Sequence, residues 1–284
     1  MSLYIGLDIG GTKFMAATAT AKREILHRIK ASSPKDLSQG LHLLQEMIIE
    51  ISAGEKIAGI GAAIGGPLNW RTGVVSPLHQ PEWHNVPLKT IMETSFKCPF
   101  HIDVDTNVAA LGEYHAYSNP PQSLLYITIS TGMGGGLVIN GCIYRGMGEG
   151  HPEIGHQSIN FRCAHSDKVI CECGAPDCLE ALVSGNGIRR IYGIPPERLE
   201  AYQWDEVAYN LGQGLRNLAA IYLPEVIILG GGISIGGGEK LVTKARAVMQ
   251  EHLKLVPAPE IRLSRLGYDT ALVGAVYIAV SGIK

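Results

Sequence analysis

Four residues in the middle of the chain have the types and spacing of a metal-binding set. His156 closes the stretch Gly150-His151-Pro152-Glu153-Ile154-Gly155-His156. Cys171, Cys173 and Cys178 fall within Cys171-Glu172-Cys173-Gly174-Ala175-Pro176-Asp177-Cys178-Leu179-Glu180. One imidazole and three potential thiolates are the donors of a closed tetrahedral zinc site. Two carboxylates, Glu153 and Glu180, are threaded through the same stretches. A knot that fixes Glu153, His156 and Glu180 relative to one another could hold three polar groups on a small hydroxylated ligand. The alternative is a ribbon that only pins a loop, with both glutamates solvated, and spacing alone does not choose between them.

The elements around this knot supply two glycine turns of one design. Residues 3–8 and 14–20 read as strands joined by Gly10-Gly11-Thr12-Lys13. The paired glycines let the backbone bend sharply and bring its N–H groups close to an anion. Thr12 adds a hydroxyl and Lys13 a cation, while Asp8 at the strand end could orient a hydrated Mg²⁺ held mainly by phosphates. The pattern is neither a Walker loop nor a dinucleotide fingerprint, because a strand follows where a helix should. A plain hairpin turn remains open for this segment taken alone. The design recurs downstream, with a strand over 123–130, the turn Thr131-Gly132-Met133-Gly134-Gly135-Gly136 and a strand over 137–140. A third cluster, Gly230-Gly231-Gly232, follows a short strand over 226–229. Together they point to two related lobes that could grip one polyphosphate.

Other segments fill in the scaffold. A third strand is expected over 23–31, a one-faced helix over 35–53, and a buried strand over 57–64 running into Gly65-Gly66-Pro67. Residues 73–78 and 83–88 read as irregular and could form a ligand lip, with Trp70 and Trp83 as packing residues. Residues 100–107 lead into a helix over 108–117, which puts Asp105 at a strand-to-helix junction. Ligands in open α/β sheets sit beyond the carboxyl ends of strands. Asp105 is therefore placed for chemistry or, equally, for capping the helix. Further helices are expected over 204–222, 238–253 and 270–280.

At 284 residues the chain fits one large domain or two ordinary ones. A hydrophobic fraction of 46% with 35 glycines describes a globular protein with many tight turns. The 24 basic and 26 acidic side chains, without a long basic run, argue against nucleic acid as a partner. No apolar run approaches the roughly 20 residues of a membrane helix, and no signal peptide is read ahead of the first strand. Three of the six cysteines fall in one short cluster, which suits metal ligation in a reducing compartment, the cytoplasm, better than a disulfide framework. Cys98, Cys142 and Cys163 read as ordinary thiols.

Taken in order, these motifs resemble the ROK family (repressors, open reading frames and sugar kinases) within the actin and hexokinase-like ATPase superfamily. The resemblance spans essentially the whole chain. It rests on Asp8-Ile9-Gly10-Gly11-Thr12-Lys13, Asp105-Thr106-Asn107 with Ala109-Ala110-Leu111-Gly112-Glu113, and Ser130-Thr131-Gly132-Met133-Gly134-Gly135-Gly136. Glu153-Ile154-Gly155-His156, the cysteine cluster and Gly230-Gly231-Gly232 complete it. It implies an α/β, two-lobed fold of ribonuclease-H-like design with a zinc-bound loop, and ATP and sugar in the cleft between lobes. Residues 1–118 would form the N-terminal lobe, with the helix from 270–284 packed on it, and 119–269 the larger lobe.

The resemblance further implies ATP-dependent phosphorylation of a hexose or N-acetylhexosamine hydroxyl. Asp105 matches the catalytic base, and Gly66, Asp105, Glu153, His156 and Glu180 match sugar contacts. Asp8, Gly10, Gly11, Thr12, Lys13, Thr131, Gly132, Gly134 and Gly231 match the ATP and phosphate site. His156, Cys171, Cys173 and Cys178 match the ligands of a structural Zn²⁺, with Mg²⁺ accompanying ATP and a homodimer as the expected assembly. The family's repressors carry a helix-turn-helix segment ahead of the first phosphate loop. Here only seven residues precede Asp8, so no such segment is expected; a sugar- and nucleotide-binding regulator without turnover is the second reading, against which Asp105 and both phosphate loops argue. Val104 stands where many glucose and N-acetylhexosamine kinases of the family carry Asn, and Gln80 where many glucokinases carry Asn. The His151-Pro152-Glu153 stretch is closer to the fructokinases, whereas the cysteine spacing is the glucokinase and N-acetylmannosamine kinase form. The sugar is left open.

Overall fold

A computed structural model describes residues 2–283. The chain divides into two compact units, one of residues 1–116 with 269–284 and one of residues 117–268. In the first, β1 (Leu3–Ile9) and β2 (Lys13–Ala19) form a hairpin extended by β3 (Ile25–Ser32). After α1 (Leu37–Ser52), β4 (Ile57–Ile64) returns to lie parallel to β1. The two-residue strands β5 (Leu68–Asn69), β6 (Val74–Val75) and β7 (Val86–Pro87) make a small three-stranded sheet. The stretch expected to be irregular is thus ordered by short pairings too brief to leave an alternation in the sequence. Then come α2 (Leu88–Phe96), β8 (Phe100–Val104) and α3 (Asp105–His115), giving a five-stranded sheet in the order β3-β2-β1-β4-β8.

The second unit repeats this plan. β9 (Ser123–Ile129) pairs antiparallel with β10 (Met133–Ile139), which pairs with β11 (Cys142–Ile143). Two short helices, α4 (Leu179–Val183) and α5 (Gly185–Tyr192), follow the cysteine segment. The long α6 (Ala201–Tyr222) precedes β12 (Val226–Gly230), then α7 (Gly231–His252) and β13 (Glu260–Leu263), with β12 parallel to both β9 and β13. The order β11-β10-β9-β12-β13 matches the first sheet strand for strand. Two ribonuclease-H-like sheets of one topology are what the family resemblance implies. The last helix, α8 (Thr270–Ser281), belongs to the first unit.

Burial explains why each sheet holds. Strands β1 and β4 are apolar on both faces, as strands covered on both sides must be. On one face α1 contributes Leu44, Met47, Ile48 and Ile51, in register with its helical period. Trp83 is 1% exposed and meets Phe14 edge-on at 6.1 Å between ring centroids, so it is a packing residue. On the other face α8 lies directly on the strands. A β-carbon on Gly61 would sit 2.1 Å from the carbonyl oxygen of Ala275, which is why β4 carries glycine there. In the second unit α7 lies on β9 and β12 and α6 packs on α7, with Leu211, Leu215, Leu241 and Val242, all 3% exposed or less, in the shared core. Among the described residues no helix is long and apolar enough to cross a membrane.

Candidate functional site

In the first unit the turn after β1 is closed by the Gly10 N–H donating to the Lys13 carbonyl at 3.0 Å. It is braced from outside by the Ser33 N–H donating to the Thr12 carbonyl at 3.0 Å. Gly11, Thr12 and Lys13 are exposed at its tip, and Asp8 lies partly buried just behind it. Burial first, and the Asp105 charge second, push the Asp8 carboxyl up to about 7. Lys13 pulls it down and Asp269 pushes it up further. Asp8, Lys13, Asp105 and Asp269 therefore share one electrostatic neighbourhood. Gly66 lies in the loop beyond β4, where its carbonyl accepts the Leu78 N–H at 3.0 Å and its peptide bond to Pro67 is cis.

Asp105 is the first residue of α3, and Val104 occupies the cap position that the sequence left open to Asp105. The helix starts three residues earlier than expected because a neighbouring carboxylate secures it. Asp103, 1% exposed, accepts the Val104 N–H at 2.7 Å and the Asn107 amide at 3.1 Å. Asp105 itself accepts the Thr106 N–H at 2.7 Å through Oδ1. A carboxylate in the first turn also faces the positive end of the helix dipole. Sequence reasoning passed over Asp103 and Asp269. The first was readable as a second acid two residues before Asp105. The second lies at the α8 cap, paired with Arg28 at 2.6 Å across 241 positions, a separation that leaves no local signal.

In the second unit the corresponding turn is tighter than the glycine run suggested. The Ser130 N–H donates to the Gly132 carbonyl at 2.8 Å. Gly134, Gly135 and Gly136 lie within β10, paired with Thr128, Ile127 and Tyr126. Gly134 is thus a strand residue, and the exposed tip is formed by Thr131 with its neighbours. The start of α5 holds this tip from below, where Gly185 N–H donates to the Ser130 carbonyl at 2.7 Å and Asn186 N–H to the Thr131 carbonyl at 3.0 Å. Ser184 caps α5 by accepting the Gly187 N–H at 3.1 Å. Gly231 opens α7 with φ of 83°, and a β-carbon there would lie 2.4 Å from the Ile129 carbonyl oxygen. The helix expected from 238 begins at Gly231 instead, interrupted at Gly238 where φ is 59° and ψ −160°. The glycines concealed its first two turns.

The four metal-ligand candidates converge. One donor atom from each of His156, Cys171, Cys173 and Cys178 lies within 4.8 Å of all the others. His156 Nδ1 is 3.4 Å from Cys171 Sγ, and Cys173 Sγ is 3.4 Å from Cys178 Sγ. Sulfur ligands about 2.3 Å from a tetrahedral zinc stand roughly 3.8 Å apart, so the set fits that ion. Burial pushes the Cys171 and Cys178 thiols up, while Cys173 is held down to about 7, chiefly by the Ala175 N–H and then by its two neighbouring thiols. A bound dication reverses the burial effect by favouring thiolates. The segments carrying the donors are tied together by a bridge between Ser158 and Cys178 and by the Leu179 N–H donating to the Gln157 carbonyl at 2.9 Å.

Glu180 joins this cluster to the second turn. Its Oε2 accepts the Met133 N–H at 2.8 Å and its Oε1 lies 4.0 Å from Cys171 Sγ. Gly155 permits that closeness, since a β-carbon there would lie 2.9 Å from the Met133 carbonyl oxygen. Glu153 is placed differently. Its carboxylate is 63% exposed and lies 3.5 Å from His151 Nε2, and only its carbonyl serves the knot, accepting the His156 N–H at 3.1 Å. Gln80 is 3% exposed and donates to Ser33 Oγ at 3.2 Å, a bracing contact within the first unit.

The chain is similar to known proteins over most of its length. A glucokinase of Halalkalibacterium halodurans is 29% identical, the match covering 97% of this chain and 94% of the relative. A fructokinase of Lactococcus lactis subsp. cremoris is 30% identical over 82% of this chain and 80% of its own. The structure of a ROK family glucokinase from Streptomyces griseus, in complex with glucose and AMPPNP, superposes with a TM-score of 0.81 at 26% identity, covering 99% of this chain and 100% of that one. A model of the ROK family matches residues 4–281, and the chain belongs to that family.

Proposed function

We propose that this protein is an ATP:sugar phosphotransferase that moves the γ-phosphoryl group of ATP to a hydroxyl of a hexose or N-acetylhexosamine. The observation that carries the reading is the repetition of one strand–glycine turn–strand design in both units, with Asp105 at a strand-to-helix junction of the first. The relatives named glucokinase and fructokinase support the reaction and leave the sugar between them.

Phosphoryl transfer asks a protein mainly for positioning and charge neutralisation. Backbone N–H groups of residues 11–12 and 131–132, the Thr12 and Thr131 hydroxyls and the Lys13 ammonium are assigned to phosphate oxygens, with Gly10, whose N–H closes the turn on the Lys13 carbonyl, giving the loop its bend. Gly231, at the start of α7, is assigned to the nucleotide. Mg²⁺ would supply charge neutralisation on the phosphates, and Asp8 is assigned to holding it. Asp105 accepts the proton of the attacking hydroxyl as its bond to phosphorus forms. Gly66, Glu153, His156 and Glu180 are assigned to the ring. With Nδ1 of His156 at the thiol cluster, Nε2 is the nitrogen left for a hydroxyl. His156, Cys171, Cys173 and Cys178 would hold a zinc ion, which would supply rigidity and no catalysis, because four protein ligands would fill its shell. We further assign a cytoplasmic location, and a homodimer by family resemblance.

Incubation with Mg-ATP and a panel of hexoses and N-acetylhexosamines, followed by ADP release, tests the proposal. Sugar-dependent turnover is expected. Sugar binding without turnover would assign the protein to the family's regulators instead.

A further inference from the structure

One side chain in the first unit stands over both of its functional loops without a structural task. His79 lies in the loop that joins β6 to β7 of the small sheet, and it is exposed. A β-carbon on Gly11 would sit 2.8 Å from His79 Cβ and 3.5 Å from its carbonyl oxygen, so the phosphate turn rests directly on residue 79. The same ring reaches toward the other loop, since its Cδ2 lies 3.9 Å from where a β-carbon on Gly65 would be. Nε2 is the ring nitrogen bonded to that Cδ2. Backbone bonds fix the segment on either side, with Leu78 N–H donating to the Gly66 carbonyl and Gln80 N–H to that of Pro77, each at 3.0 Å. Gln80 itself is buried on Ser33. The backbone of residue 79 is therefore held rigidly while its imidazole makes no hydrogen bond or ion pair to any described residue.

A rigidly mounted, unpartnered donor and acceptor beside a glycine loop is what recognition of a hydroxyl requires. We propose that His79 is a specificity-determining residue that hydrogen-bonds a hydroxyl, or an equivalent polar substituent, of the sugar held at the loop of residues 65–67. This rests on the sugar-kinase reading above. The buried Gln80 and the apolar Val104 leave positions 80 and 104 unable to reach a ring hydroxyl, which gives His79 that task on this side of the ligand. A side chain tuned to one substituent also discriminates between hexoses that differ there.

Equilibrium binding of each hexose, by calorimetry, and two-substrate kinetics are measured for the wild type, His79→Ala and His79→Gln. Loss of one neutral hydrogen bond weakens binding by about 3- to 10-fold. Dissociation constants and KM for the preferred sugar should rise by that factor in His79→Ala. The KM for Mg-ATP should change by less than about 2-fold, and the ranking of hexoses should narrow. His79→Gln should recover part of the loss. Sugar affinity and ranking equal to wild type in His79→Ala would overturn the inference, as would a rise confined to the KM for ATP. Wild type that binds sugar but does not turn over sinks only the kinase reading. Wild type that binds none of the sugars sinks both.

Discussion

The two units offer the same sheet and the same turn, and they secure that turn in opposite ways. In the first, the hydrogen bonds that hold the turn run between backbone groups, through Gly10, Lys13, Thr12 and Ser33, and charge gathers behind it in Asp8, Asp105, Asp269 and Lys13. In the second, the turn is clamped by a side chain, Glu180, and by the start of α5, with the Cys₃His cluster against the same glutamate. One topology thus carries two chemistries. The first unit concentrates groups that take up protons and charge. The second is organised around the Cys₃His set, whose donor segments are tied by backbone hydrogen bonds and anchored in the core by Ile154, Val169 and Leu179.

The sharpest test of this division is Asp105→Asn. The amide keeps the shape of the α3 start and loses the base, so kcat should fall by about 10²- to 10⁴-fold while sugar and ATP KM stay within roughly 3-fold. A kcat within tenfold of wild type would deny the first unit its chemical role. Metal removal probes the other side. Cys178 is fully buried at the start of α4, and structural zinc contributes on the order of 10 kcal/mol to ordering such a loop. Metal analysis should find about one zinc per chain. Chelation, or Cys178→Ser, should then raise the sugar KM about tenfold or more and leave Mg-ATP affinity much less changed. Equal losses for both ligands would break the comparison.

A finer contrast lies within the knot. Glu180 accepts a backbone N–H of the turn, whereas Glu153 is exposed beside His151. Loss of a hydrogen bond to a charged group costs about 1.5–3 kcal/mol. Glu180→Ala should therefore raise the sugar KM by roughly tenfold or more and also disturb ATP binding through Met133. Glu153→Ala should raise the sugar KM by the lesser factor of about 3- to 10-fold and leave Mg-ATP unchanged, because its exposed carboxylate braces no turn. The reverse order would make Glu153 the dominant ring contact.

Much of this was legible in the residues. The cysteine spacing announced the donors, the hairpins announced themselves by apolar runs on either side of glycine, and 57–64 was readable to the residue as a strand. What escaped was set by tertiary partners. Gly134 looked like a turn residue because glycine suits turns, yet β9 recruits it into a ladder. The opening of α7 was hidden by five glycines, at 231, 232, 236, 237 and 238, that a helix ordinarily disfavours. Asp269 had no sequence neighbour to betray it, since its partners Arg28 and Asp8 are more than 240 positions away. Glu153 and Glu180 were equivalent by spacing, and only the fold separates an engaged carboxylate from an exposed one.

The smallest effect concerns the charge gathered in the first unit. Asp8 is raised from 3.8 to about 7, by burial before Asp105 and Asp269, with Lys13 opposing. Because the folded value exceeds the unfolded one, the native state binds the extra proton. The resulting stabilisation is fully present below about pH 4 and is lost as pH rises through about 7. Wild type without nucleotide should therefore lose thermal stability across that window relative to Asp8→Asn, whose amide carries no titration. A divergence of a few degrees in Tm is expected, since about 1 kcal/mol moves Tm by roughly 2–4 °C in a chain of this size. In an Asp105→Asn background the loss should begin at lower pH, because removing the Asp105 charge lets Asp8 ionise sooner. Cys178→Ser should leave the window where it is, since the second unit takes no part in it. Parallel pH curves for wild type and Asp8→Asn would show that the carboxylates of the first unit do not share a field, and with that its contrast to the second unit would lose its electrostatic half.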